Sequence, residues 1–153
     1  MNAIAAMRPR PLAAVIMLML GACTEIARPE DFPPNMEPFT PPTAYARWWK
    51  DVEACSGRRG NLDRVNWFLI PNANYFGYRG DWYDAYWWGY QHTILIAEDW
   101  ANDSAVVRHE MLHDLLNSGD HPKQYFVERC GALLRRSYAE SQPAAFPPAV
   151  RAP

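Results

Sequence analysis

The histidines of this 153-residue chain are unevenly spread, and three of the four lie between positions 109 and 121. His109 and His113 frame the sequence His-Glu-Met-Leu-His, and side chains four residues apart lie on the same face of a helix. Both imidazoles can therefore reach one metal ion, while Glu110, next to the first of them, can contact a water molecule on that metal. The pattern predicts two metal ligands and a general base, Glu110, on one rigid element.

A third ligand is expected downstream, because a catalytic zinc ion takes three protein ligands and leaves its fourth position to water. His121 follows His113 by eight residues and lies two residues past Gly119. A glycine in the left-handed conformation can reverse the chain at a helix end and bring His121 back toward the metal. The sequence therefore predicts a Zn²⁺ site formed by His109, His113 and His121.

The elements that must hold these side chains are visible in the sequence. The β-branched and apolar run at 93–97 predicts a buried strand, and residues 65–70 predict another. Segment 102–104 offers N-cap residues, so the histidine helix is expected to run from there to about Asn117 or Ser118.

Two more helices are expected toward the ends of the folded part. Apolar residues in segment 43–54 recur at i, i+3, i+4 and i+7, the spacing of one helix face. Pro122 can begin a last helix that ends near Tyr138, because its fixed φ suits the first turn. Helices mixed with short strands predict an α+β fold.

The stretch 93–126 resembles the zincin metallopeptidases, in which an edge strand beside the cleft precedes an H-E-x-x-H helix. Here the motif is followed by His121 and then by Tyr125 and Phe126, a pattern most similar to minimal zincins of the SprT-like sort. The resemblance implies a small zincin-like domain, with a short mixed sheet packed on an active-site helix and flanking N- and C-terminal helices. It also implies a zinc-dependent peptidase in which zinc-bound water attacks a peptide carbonyl and Glu110 accepts the proton.

Within this class the third ligand has alternatives. The metzincin positions for glycine and histidine, three and six residues after the second ligand, hold Leu116 and Gly119 here, and no later methionine could form a Met-turn. A glutamate-using zincin would employ Glu128 as its third ligand, and an aspartate-using one would employ Asp120. Both stay open beside His121.

Further residues are candidates for supporting roles. Asp114 can orient a ligand imidazole as its hydrogen-bond partner, or it can be a solvated helix acid. Hydrolysis also needs a group that stabilises the oxyanion, and Tyr125, Tyr90 and Arg108 are the candidates.

The N-terminus resembles a bacterial lipoprotein signal. Two arginines precede the apolar run 12–20, which is shorter than the roughly 20 residues of a membrane-spanning helix, and a Gly-Ala pair leads into Cys23. The resemblance implies that residues 1–22 are a removed signal peptide and that Cys23 is lipidated. The protein would then be anchored to a membrane of the bacterial cell envelope, on its periplasmic or outer-surface side.

The mature chain is expected to divide into three parts. Residues 23–42 are rich in proline and predict a weakly structured tether, 43–140 form the metallopeptidase domain, and 141–153 form a disordered tail. The two remaining cysteines, Cys55 and Cys130, are expected to form a disulfide in an oxidising compartment, or else to stay as buried thiols.

The amino-acid composition limits the classes of molecule that the protein is expected to bind. With 49% hydrophobic and 21% charged residues and a formal charge of −2, the chain is neither a disordered tail nor an electrostatic nucleic-acid binder. A monomer acting on a peptide or protein substrate in the envelope is expected.

Aromatic residues make up 14% of the chain and cluster at 82–90, as a substrate platform or as core. Two rival functions stay open: an inactive zinc-binding lipoprotein, and a metal-free envelope binding module that uses this cluster.

Overall fold

The computed structural model describes residues 32–135. The predicted signal peptide, Cys23 and the tail at 141–153 lie outside this range. No helix within 32–135 is both long and apolar enough to cross a membrane.

A four-stranded mixed sheet lies at the centre of the fold. Its strands are β1 (Glu37–Pro38), β2 (Asn66–Ile70), β5 (Ala85–Trp88) and β6 (Thr93–Ala97), in the order β1-β2-β6-β5, while β3 (Phe76–Tyr78) and β4 (Asp81–Tyr83) form a separate hairpin. The pair β2 and β6 is parallel, and the edge strands β1 and β5 are antiparallel to their neighbours. All five residues of β6 are buried, because apolar clusters cover both faces of the sheet.

Two helices, α1 (Ala44–Ser56) and α2 (Ser104–Leu116), pack against each other over one face of the sheet. The backbone N–H of Gly57, which is left-handed at φ 71°, closes α1 by donating to the carbonyl of Glu53. The Asp103 carboxylate caps the start of α2 by accepting from two backbone N–H groups. The predicted α+β fold, with a short mixed sheet and flanking helices, is confirmed.

The C-terminal segment departs from the single long helix expected from Pro122. A π-helix (Gln124–Arg129) comes first, with the Cys130 N–H donating to the Tyr125 carbonyl five residues earlier, and a short α3 (Gly131–Leu134) follows. Gly131 permits this junction, because a Cβ there would lie 3.3 Å from the carbonyl oxygen of Phe126.

The predicted proline-rich tether over 23–42 differs from the structure in its second half. Phe32 and Met36 are buried against the second face of the sheet, and β1 pairs with β2. The Phe32 ring lies 4.4 Å from the ring of Tyr78, centroid to centroid. These apolar side chains cover a surface that would otherwise face water, so the folded unit extends back at least to Phe32.

The predicted disulfide between Cys55 and Cys130 is confirmed. It joins the last turn of α1 to the end of the π-helix, with the two Cα atoms 5.2 Å apart. Closing a loop between residues 75 apart in sequence stabilises the fold by about 4 kcal/mol in the chain-entropy account.

Candidate metal centre

Three imidazoles meet at one point. The Nε2 atom of His109 lies 2.9 Å from that of His121 and 3.1 Å from that of His113, and the third pair is 3.2 Å apart. These three nitrogens could hold one metal ion. The structure thus brings together the three histidines that the sequence predicted as ligands.

The chain reversal that delivers His121 occurs at Asn117, not at Gly119 as expected. Asn117 is left-handed at φ 50°, and its N–H donates to the carbonyl of Asp114. Asparagine adopts this conformation more readily than other non-glycine residues, because its short side chain can bond locally. The helix therefore ends within one residue of its predicted boundary, and His121 returns along its face.

A backbone carbonyl determines which nitrogen of His113 faces the site. Its Nδ1 lies 2.7 Å from the carbonyl oxygen of Ser118. A carbonyl only accepts, so Nδ1 carries the proton and Nε2 keeps its lone pair in the neutral ring. Metal-binding histidines commonly have such a partner, which orients the ring.

Asp114, expected either to orient a ligand imidazole or to be a solvated helix acid, is buried and contacts other groups. Its buried carboxylate accepts from Trp87 Nε1 at 3.0 Å and pairs with His92 Nδ1 at 2.9 Å. The Trp87 ring in turn stacks on His113, with 6.0 Å between centroids and 13° between planes. Asp114 therefore supports the His113 ring through the Trp87 indole, and the same carboxylate pairs with His92.

Burial keeps the helix histidines neutral. Burial, together with the neighbouring rings of His113 and His121, lowers the pKa of His109 to about 3. Burial also lowers the pKa of His113 to about 4, although its hydrogen bond to Ser118 acts in the opposite direction. Both rings are unprotonated at neutral pH, which is the state that binds metal ions.

The carboxyl group of Glu110 is buried beside the imidazoles. Its pKa is raised to about 8, mainly by burial and also by the charge of Asp84, while the backbone N–H of Trp87, which donates to the carboxylate, acts in the opposite direction. A cation at the three nitrogens would shift this pKa down, because a nearby opposite charge favours the ionised form.

Phe126 supports all three imidazoles, a role that sequence analysis did not assign. Its ring centroid lies 5.0 Å from that of His109, 4.8 Å from that of His113 and 4.6 Å from that of His121. The side chain is buried in the core cluster between the sheet and the helices. The sequence shows that Phe126 follows His121 by five residues in a predicted helix, but it does not show that the Phe126 side chain points toward the imidazoles.

A cavity of about 490 Å³ opens over the histidines and Glu110. Edge strand β5 and the residues before it supply one wall with Tyr83, Tyr86 and Trp87, and Leu134 lies at another side. Trp87 is buried, whereas Trp82 is 76% exposed and Tyr90 is 58% exposed. The aromatic cluster therefore contributes both to the core and to the cavity wall.

Two of the expected oxyanion-stabilising residues make hydrogen bonds to other side chains. The guanidinium of Arg108 donates to Asp51 at 3.0 Å, and the Tyr125 hydroxyl accepts from Arg58 at 2.8 Å. Neither Arg108, Tyr125 nor Tyr90 is among the residues that line the cavity.

The alternative third ligands, Glu128 and Asp120, are not part of the closely spaced group of ligand atoms. Glu128 is exposed and pairs with Lys123 at 3.6 Å, and the carboxylate of Asp120 accepts from the Ser118 hydroxyl at 3.4 Å. Within residues 32–135, the closely spaced metal-binding group that includes His109 and His113 is completed by His121 alone.

No protein-family model matches the chain, and no curated protein and no solved structure matches it.

Proposed function

We propose that the protein is a zinc-dependent peptidase of the zincin type, anchored in the bacterial cell envelope by a lipid on Cys23. The observation that carries the proposal is the convergence of three histidine Nε2 atoms, beside the buried carboxyl group of Glu110, on one cavity.

The donor set fits zinc. Nitrogen ligands bind zinc at about 2.0–2.1 Å in a tetrahedron, which separates neighbouring nitrogens by about 3.3 Å. The Nε2 atoms are 2.9–3.2 Å apart, close to that spacing without any rearrangement. The proton on His113 Nδ1 leaves its Nε2 lone pair free for the metal, which also supports the fit.

When bound, zinc would act as a Lewis acid that polarises a peptide carbonyl and lowers the pKa of water to about 7. Glu110 accepts the proton of the attacking water and can pass it to the leaving amine. The backbone N–H of Trp87 donates to this carboxylate, and Glu110 is among the residues that line the cavity. The wall formed by Tyr83 and Tyr86 offers apolar surface for the side chains of a peptide.

The location and partners complete the proposal. The lipoprotein-like N-terminus and the disulfide both suit an exported protein, since disulfides persist in oxidising compartments. The substrate would be a peptide or protein of the envelope. The protein would work as a monomer and would bind no nucleic acid.

Replacing the base tests the mechanism. We expect Glu110→Gln to lower the rate of casein hydrolysis at least about 100-fold, because general acid–base catalysis contributes roughly 10²- to 10⁴-fold. Its zinc content, measured by elemental analysis, should match that of the wild type.

Each result separates one alternative. Retained hydrolysis by Glu110→Gln, with a chelator control, would remove the assignment of the base. A wild-type chain that loads zinc but cleaves nothing would favour the inactive zinc-binding lipoprotein. A chain without zinc would favour the metal-free binding module.

A further inference from the structure

The chain around His121 has few buried contacts. We call residues 117–130 the third-ligand segment. In it only the side chains of Phe126 and Cys130 are buried, and the others, including that of His121, are exposed or partly exposed. The position of the His121 imidazole therefore depends on these two buried points.

Phe126 is the first of them. Its ring contacts the imidazole of His121 at 4.6 Å, centroid to centroid. Its backbone N–H donates to the carbonyl of Pro122, the residue that follows His121, at 3.1 Å. Phe126 and His121 are thus coupled through both side chain and backbone.

Cys130 is the second. It ends the π-helix that contains Phe126, and its disulfide to Cys55 ties that helix to the last turn of α1. Just after α1, Arg58 donates to the hydroxyl of Tyr125 at 2.8 Å, which adds a second link between the same two regions. α1 packs on α2, the helix that carries His109 and His113. These links therefore fix the position of the third-ligand segment relative to those two histidines.

We propose that the Cys55–Cys130 disulfide is a positioning device for the metal site. It fixes the π-helix against α1, so that Phe126 holds His121 at the other two imidazoles. Reduction of the disulfide leaves His109 and His113 in place on α2 but allows His121 to move away. Zinc affinity therefore depends on the disulfide. This inference rests on the proposed zinc site and goes beyond the stabilising effect of the cross-link.

Zinc affinity in two backgrounds tests the proposal, with dissociation constants measured by competition against a chromophoric chelator. In the full chain, we expect Cys55→Ala/Cys130→Ala to weaken zinc binding about tenfold or more, as loss of a ligand-orienting partner typically does. His121→Ala should weaken zinc binding at least about tenfold when the disulfide is present. It should weaken binding much less in the disulfide-free background, where the third ligand is already displaced.

His113→Ala is the matched control, because His113 lies on α2 and needs no help from the bridge. It should weaken zinc binding strongly in both backgrounds, because it removes a ligand that stays in place with or without the disulfide. A purely structural disulfide would leave the effect of His121→Ala equally large in both, and that result would overturn the proposal.

If the disulfide-free variant does not fold, the zinc-loaded wild-type chain answers the same question. A water-soluble phosphine opens the bridge, taking oxygen from water as both sulfurs become thiols. We expect release of zinc to the chelator to accelerate about tenfold in the wild type and less in His121→Ala. Equal acceleration in the two proteins would contradict the proposal.

These outcomes are separate from those of the proposed function. A chain that binds zinc with the expected redox dependence but hydrolyses no peptide would remove the peptidase and keep the positioning role. Peptide hydrolysis, together with equal His121→Ala effects on zinc affinity in both backgrounds, would keep the peptidase and remove the positioning role of the disulfide.

Discussion

The three histidines of the site come from two differently built regions. His109 and His113 project from α2, a capped helix of 13 residues that packs on α1 and the sheet. His121 projects from the third-ligand segment, which has no regular structure at that position. The segment is anchored in the core by the buried side chains of Phe126 and Cys130. One region places ligands through local helix geometry, and the other through contacts with residues distant in sequence.

This difference separates two kinds of preorganisation. In α2, one backbone periodicity determines the distance between the two imidazoles, so a metal site can be partly formed by the helix alone. In the third-ligand segment, the ring of Phe126 and a disulfide across 75 positions perform the same task. We therefore expect damage to the segment's supports to reduce metal binding more than equal damage to the helix does.

The largest effect is expected for Phe126→Ala. Removing this buried ring should lower the free energy of unfolding by about 3–5 kcal/mol, since a cavity replaces a fully packed aromatic. Zinc affinity should fall as well, because all three imidazoles lose a contact and His121 loses its main support. Chemical denaturation of the zinc-free protein and chelator competition measure the two effects.

Leu112→Ala is the matched control for that comparison. Leu112 is fully buried on α2, and its truncation should cost about 2–5 kcal/mol of stability. We expect zinc affinity to change much less than in Phe126→Ala, when both are measured where the proteins are folded. An equal loss of zinc affinity per unit of lost stability would break the distinction between the two regions.

A smaller effect is expected at the end of α1, where Glu53 supports the loop that reaches the third-ligand segment. Its buried carboxylate accepts from Lys50 Nζ at 2.7 Å and from the Gly60 N–H at 3.1 Å. The hydrogen bond from Lys50 lowers the pKa of Glu53, burial opposes this shift, and the Gly60 N–H adds to it. Glu53→Gln should lower the free energy of unfolding by about 1.5–3 kcal/mol at pH 7.

The sign of the pH dependence follows from the lowered pKa of Glu53. A carboxyl group with a lower pKa in the folded state stabilises the protein above its unfolded pKa of about 4.3, and this contribution is lost as pH falls through the folded pKa. Urea unfolding should therefore show a difference between wild type and Glu53→Gln at pH 7 that shrinks below about pH 4. Asp63→Asn, at an exposed site, should show little difference at either pH, and a constant Glu53→Gln difference would contradict the assignment.

The same contrast explains which parts of the site could be predicted from the sequence. The shared helix face of His109 and His113, the position of Glu110 beside them, the extent of α2 and its capping segment follow from spacing and local hydrogen bonding. The buried strand at 93–97 follows from its apolar, β-branched residues. His121 was predicted as the third ligand, although the reversal occurs at Asn117, because the reversal needs only a residue that accepts a positive φ.

Other features depend on tertiary contacts that local sequence does not encode. The direction of Phe126, the carbonyl partner of His113 and the pairing of Asp114 with Trp87 each join positions from different turns or elements. Phe32 shows the same limit, because neighbouring prolines favour a tether while the ring itself fills a gap on the sheet.

The smallest effect tests the helix side of the comparison. Asp103 accepts hydrogen bonds from the N–H groups of Ala105 and Val106, so Asp103→Ala should lower the free energy of unfolding by about 1 kcal/mol through loss of the cap. Zinc affinity should stay within about twofold, because fraying is confined to the first turn and His109 lies beyond it. Asp103→Asn, which keeps an oxygen acceptor, should restore most of the stability. If Asp103→Ala instead weakened zinc binding as strongly as Phe126→Ala, the helix would not hold its ligands independently, and the two regions would have to be treated as one cooperative unit.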